Sequence, residues 1–105
     1  MLSDFYENTT KNFTVEIQLS GSAPDITSDT VTLMMRLSSS LEIYSSSADV
    51  ASSGSNGTAY FTLTPTWTTK DPGIYCYEIF WETSGSLAEY VIDEGEVAIL
   101  DRLSV

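Results

Sequence analysis

Histidine is absent from this sequence, and cysteine occurs once, at Cys76. Without an imidazole the usual general base and zinc-ligand sets are missing, and Cys76 has no partner to activate it as a nucleophile. A single cysteine excludes an internal disulfide, which fits a reducing compartment or a core that needs no covalent staple. Positive charge is almost as scarce: 4 Lys+Arg stand against 15 Asp+Glu, for a net −11. Lys11, Arg36, Lys70 and Arg102 are scattered singly. Phosphate backbones are bound by clustered cations, so nucleic acid drops out as a partner, and an anionic membrane surface with it. No apolar run approaches the ~20 residues that span a bilayer. Met1-Leu2-Ser3-Asp4-Phe5-Tyr6-Glu7 carries acids where a secretory leader needs a basic stretch, which places the expected product in a cytoplasm.

Catalytic signatures are missing as well. There is no Gly-x-Ser-x-Gly, no phosphate loop and no dinucleotide fingerprint. Glu78 and Glu82 form a carboxylate pair of the kind that cleaves glycosides, but a domain of 105 residues offers no obvious deep cleft to hold the sugar. The expectation is a protein that is not an enzyme and that carries no cofactor. Acids cluster at Asp93, Glu94, Glu96 and Asp101, and Asp25 and Asp29 flank an early turn. Calcium needs six to eight converging oxygens and the EF-hand spacing is absent, so these read as solvated surface and no metal is expected. Three Asn-x-Ser/Thr matches, at Asn8, Asn12 and Asn56, arise by chance in so hydroxyl-rich a chain.

What the chain does have is hydroxyls: 16 Ser and 13 Thr. Threonine favours strands and serine competes with helical backbone bonds, so this surface suits a β-protein. Period-2 alternation runs through most of it. Phe13, Val15, Ile17 and Leu19 alternate with polar residues, and Gly21 to Asp25 then turns the chain. Thr30 to Leu37 reads as a strand with Val31, Leu33, Met35 and Leu37 inward and Thr32, Met34 and Arg36 outward, which sends Met34 towards an edge or a partner. Leu41 to Tyr44 is a short strand, and Ala48 to Ala51 a weak one. Asn56-Gly57 is the strongest hairpin signal. Thr58 to Thr64 follows, with Ala59, Phe61 and Leu63 inward and Tyr60 outward.

Two prolines bracket residues 65–72, which read as a surface loop or a short helical turn carrying Trp67 inward. Ile74 to Glu82 is largely apolar on both faces: Tyr75, Tyr77, Ile79 and Trp81 on one, Ile74, Cys76, Glu78 and Phe80 on the other. That marks a central strand or one covered twice. Leu87 to Ile92 and Gly95 to Leu100 are two strands, or one interrupted at Asp93-Glu94. Seven to eight antiparallel strands in one domain predict an all-β, two-sheet sandwich without a disulfide. Residues 1–10 read as a polar arm, frayed or dependent on pairing, and residues 11–105 as the single sandwich domain.

Asp71-Pro72-Gly73-Ile74-Tyr75 carries the most specific pattern. In immunoglobulin-like sandwiches an Asp-x-Gly-x-Tyr run enters a central strand, and the tyrosine hydroxyl bonds back to nearby backbone. Asp71, Gly73 and Tyr75 are therefore read as a structural turn. Antibody domains place cysteine two residues after the tyrosine; here Tyr77 stands there, with Cys76 displaced. Tyr75, Tyr77, Trp67 and Trp81 also suggest a sugar-stacking platform, against which stands the reading that such aromatics fill a core.

Phe13-Thr14-Val15-Glu16-Ile17, Val31 to Arg36, Gly57 to Thr64, Pro72 to Ile79 and Gly95 to Asp101, in that order, resemble the small immunoglobulin-like proteins of tailed phages and prophages, including the N-terminal domains of baseplate upper proteins. The likeness covers roughly residues 11–101, and the Ser-rich stretch from Ser38 to Ser53 does not match it. The resemblance implies a non-enzymatic virion part (a head–tail, tail or baseplate accessory protein) assembled in the bacterial cytoplasm, with other virion or surface proteins as partners, or its own copies. Docking is expected by a sheet edge or the aromatic strand, with Met34, Tyr60, Trp67 and Trp81 as candidate interaction residues. The alternative is a carbohydrate-binding or adhesion module of a larger surface protein, with a glycan as ligand.

Overall fold

The computed structural model describes residues 2–18, 21–22, 24–50, 54–85 and 89–101. Leu19, Ala51, Leu87 and Arg102, named above in expected strands or among the cations, lie outside them. Seven strands are present among the described residues: β1 (Phe5–Tyr6), β2 (Lys11–Glu16), β3 (Thr30–Leu37), β4 (Ile43–Ser47), β5 (Thr58–Leu63), β6 (Gly73–Glu82) and β7 (Glu89–Leu100). One short helix, α1 (Pro65–Thr68), follows β5. The strands form a five-stranded sheet in the order β1-β7-β6-β3-β4 and a two-stranded sheet of β2 and β5. The fold is all-β and sandwich-like.

Alternation explains why these sheets close on one another. β3 sends Val31, Leu33 and Met35 inward, β6 sends Tyr75, Tyr77, Ile79 and Trp81, and β7 sends Val97 and Ile99. From the smaller sheet come Val15, Ala59, Phe61 and Leu63, with Ile17 just beyond β2. All belong to one hydrophobic cluster. Phe13 stacks on Phe61 across the β2–β5 pair, centroids 4.7 Å apart and 6° from parallel.

Several boundaries differ from the sequence expectation, each for a physical reason. The N-terminal segment is paired: β1 lies beside β7, in parallel rather than the antiparallel arrangement expected of every strand, with Phe5 opposite Ile99. Leu2 and Phe5 are buried in the core, and the Asp4 carboxylate accepts the Ala98 N–H at 3.0 Å. The fourth strand begins at Ile43 rather than Leu41, which is 89% exposed. Ala48–Val50 contributes an isolated bridge, Asp49 to Tyr60. Asn56-Gly57 closes no two-residue hairpin; a 3₁₀ turn at Gly54–Asn56 leads through Gly57 into β5. Gly54 packs closely there: an added Cβ would lie 3.0 Å from the Thr27 backbone.

The last strand is single, and its register against β6 shifts between Ile79 and Phe80, where Asp93 and Val91 are their respective partners. The extra residue, Ile92, is accommodated as a bulge, which lets apolar residues keep facing inward on both sides of the polar Asp93-Glu94 step. β6 is central, between β3 and β7. Its outer face is open, however: Ile74 is 48% exposed and Phe80 half-buried. No described part of the chain covers it.

Candidate docking face

The Asp71–Tyr75 turn is built as a latch. Tyr75 is buried, and its hydroxyl donates to the Asp71 carbonyl at 2.7 Å, four residues back. Gly73 sits at φ 154°, a backbone region that side chains rarely enter, and an added Cβ would press on Leu37 at 3.0 Å. This fixes where β6 starts, and therefore which of its residues face outward. Burial first, then the charges of Tyr44, Asp71 and Glu42, pushes the Tyr75 hydroxyl above its ordinary pKa.

The four aromatic and sulfur candidates do not converge. Trp81 is buried at 5% exposure, donates its indole N–H to Asp29 at 2.8 Å and packs on Tyr90 with centroids 5.2 Å apart. It offers no open face to a ligand. Trp67 leans onto the edge strand β4: its indole N–H donates to the Ser45 carbonyl at 2.8 Å. The Lys70 ammonium lies 3.7 Å from the Trp67 ring centroid and 4.5 Å from that of Tyr44. Lys70 also donates to the Trp67 carbonyl. Partial burial lowers the Lys70 pKa, against a smaller raising pull from Glu42. Together these groups cap an outward carbonyl of β4 and so blunt the edge against strand addition. Tyr60 is 43% exposed on the outer side of the two-stranded sheet. Only Met34 lies on the outer face of the five-stranded sheet, half-buried on β3.

That outer face has no partner in the described chain. Cross-strand register lays it out in rows. One row reads Glu96, Cys76, Arg36 and Ile43; the next Glu94, Glu78, Met34 and Ser45; the third Val91, Phe80, Thr32 and Ser47. An apolar band of Cys76, Met34, Phe80 and Val91 therefore runs obliquely along the strands, flanked by glutamates on the β7 side. Two shallow depressions follow it, of about 570 Å³ and 330 Å³, sharing Met34 and Glu78. The sequence pattern had exposed the apolar residues on both sides of β6. It did not reveal that nothing described covers the second side.

The acids away from this face hold structure. Asp29 accepts from Trp81 and, at 3.0 Å, from the Ser84 N–H. Burial pushes its carboxyl up, but the hydrogen bonds from Ser84 and Trp81 outweigh it and hold the pKa below the ordinary value. Asp25 caps Thr27 through side chain and backbone, which lowers its pKa. Asp93 accepts the Tyr77 hydroxyl at 3.0 Å. Among the described residues no three of His, Cys, Asp or Glu are grouped to hold a metal ion. Among the described residues no helix is long and apolar enough to cross a membrane. No protein-family model matches the chain, and no curated protein matches it in sequence.

Proposed function

We propose that the chain is a non-enzymatic interaction module of a phage or prophage particle, built on an immunoglobulin-like sandwich and docking through the outer face of its five-stranded sheet. The observation that carries this reading is the apolar band on that face. Met34, Cys76 and Phe80 are half-buried, while Ile43, Ile74 and Val91 are 57%, 48% and 55% exposed. Contiguous apolar residues on an otherwise polar, acidic protein mark an interaction surface. The immunoglobulin-like assignment draws support from β2 and β5 opposing β3, β6 and β7, with a tyrosine latch at the entry to β6. The phage assignment rests on the resemblance of residues 11–101 to the small phage proteins.

No comparable observation favours the glycan reading. Trp81 is inside the core and the Trp67 ring lies under Lys70, so neither presents a bare ring to a sugar. The direct test is to purify particles from an induced lysogen carrying the gene and probe them for this chain, beside a variant with Phe80→Asp. Co-purification of the parent chain and loss of the variant, with its melting cooperative in isolation, is the expected result. Particles that never contain the parent chain overturn the phage assignment.

A further inference from the structure

Resting on the reading of this face as a docking surface, we infer that its occupant is a basic, extended segment of another protein, with apolar side chains seated along the Met34–Phe80–Val91 band and lysine or arginine reaching the flanking glutamates. Charge chooses the partner. Glu78 stands directly opposite Glu94, and Glu82 opposite Glu89, across the β6–β7 pair. Glu96 extends the same side beside Cys76. Like charges placed directly opposite weaken a sheet, so the free protein holds carboxylates where a cation inserted between them would relieve repulsion. Of the described cations only Arg36 lies on this face; Lys11 is on β2 and Lys70 follows α1.

The same charges disfavour the other occupants. A second copy brings another net −11 and sets glutamate against glutamate around a two-fold axis. Anionic lipid and nucleic acid are repelled for the same reason. Shape points to a strand-like segment. The two depressions are shallow and continuous, and reach from the Glu96 row to Glu89. At about 3.3 Å per residue that length matches roughly six to eight extended residues, and an alternating segment would present one apolar side to the band.

The test uses the full ¹⁵N-labelled chain and three synthetic nine-residue peptides: alternating Lys and Val, alternating Glu and Val, and alternating Lys and Ser. The Lys–Val peptide is expected to give saturable shifts at the amides of Met34, Cys76, Phe80 and Val91. Its affinity should fall at least about tenfold between low and moderate salt, and at least about tenfold in the E78Q/E94Q variant, whose fold is checked by its melt. If Glu–Val binds this face as tightly, the basic-partner inference fails while the docking reading stands. If Lys–Ser reproduces the Lys–Val shifts, attraction is unspecific and the inference also fails. Concentration-dependent dimerisation abolished by Phe80→Glu makes a second copy the occupant, which again overturns the inference and keeps the face. No shift at this face with any peptide, and no dimer, removes both.

Discussion

Trp81 donates its indole N–H to the Asp29 carboxylate at 2.8 Å across 52 residues of chain, and the other oxygen of the same carboxylate takes the Ser84 N–H at 3.0 Å. One acid thus ties the end of β6 to the loop that feeds β3. Asp29→Ala leaves the nearly buried indole N–H without its acceptor. A hydrogen bond to a charged group contributes about 1.5–3 kcal/mol when buried. Solvent around this carboxylate reduces that to about 1 kcal/mol. The loss should carry a pH signature. The folded pKa of Asp29 lies below its ordinary 3.8, so the unfolded chain takes up the proton first. The stabilisation is complete well above pH 3.8 and disappears as pH falls through the folded value. Thermal melts of the parent and Asp29→Asn should therefore differ most near neutrality and converge in acid. A gap that stays constant with pH would show that geometry, and not the charge, carries the effect.

Glu78 and Glu94 face each other on the open side of the β6–β7 pair. If this arrangement is kept for docking, removing it should help the isolated domain. E78Q/E94Q is expected to melt higher than the parent by on the order of a few degrees, with the gain shrinking as salt screens the repulsion. A scanning-calorimetry series in rising sodium chloride checks this. A variant that melts lower at every salt concentration would mean these carboxylates stabilise the free sheet.

Much of this architecture was legible because strand alternation is a local property. Val31-x-Leu33-x-Met35 and Tyr75-x-Tyr77-x-Ile79-x-Trp81 announce their inner faces without knowledge of a partner strand. The Tyr75 latch was readable because its acceptor lies only four residues away. What was not legible depends on distant chain. β1 is two residues long, and its register with β7 is set by Phe5 meeting Ile99, which no window on either segment contains. Ile26 sits in a turn with no alternation around it, yet it is fully buried and its N–H donates to Gly54 at 2.9 Å. For the candidate docking face, sequence showed apolar residues on both sides of β6; which side stays open depends on what the rest of the chain covers. Trp81 and Trp67 looked alike as candidates, and only tertiary contacts separate a core indole from one that caps a strand edge.

High pH should find a second weak point. Burial, with the Asp93 charge and hydrogen bond, raises the Tyr77 hydroxyl pKa above 10.0, and burial with neighbouring charges does the same for Tyr75. Raised folded values mean the stabilisation is fully present below pH 10.0 and lost as pH rises through them, because the unfolded tyrosines ionise first. Lys70 runs the other way: its lowered pKa makes the folded state relatively better as the ammonium deprotonates. Tyr77→Phe should flatten the alkaline decline relative to the parent, and Lys70→Met should steepen it. Melting curves above about pH 9.5 that are parallel for all three proteins would contradict both assignments.

Thr68 is the fully buried hydroxyl of α1, and it serves the N-terminal segment rather than the helix alone. Its Oγ1 donates to the Thr9 carbonyl at 2.6 Å and accepts the Thr9 N–H at 3.0 Å, while the Asn8 N–H reaches the Thr68 carbonyl at 3.3 Å. This clamp follows directly after β1, so it helps to hold Phe5 against Ile99. Thr68→Val keeps the shape and removes both side-chain bonds to Thr9, with a longer one to the Pro65 carbonyl, leaving the N–H and carbonyl of Thr9 short of partners. A cost of about 1–3 kcal/mol is expected, seen as a lower urea midpoint. Thr68→Ser keeps the hydroxyl and should lose much less. Hydrogen exchange separates this from a general loss of packing: in Thr68→Val the Thr9 and Glu7 amides should exchange faster than the β3 and β6 amides, because the segment opens before the sheet does. Uniform acceleration across all strands would place Thr68 in the global core and deny it the role of a local clamp.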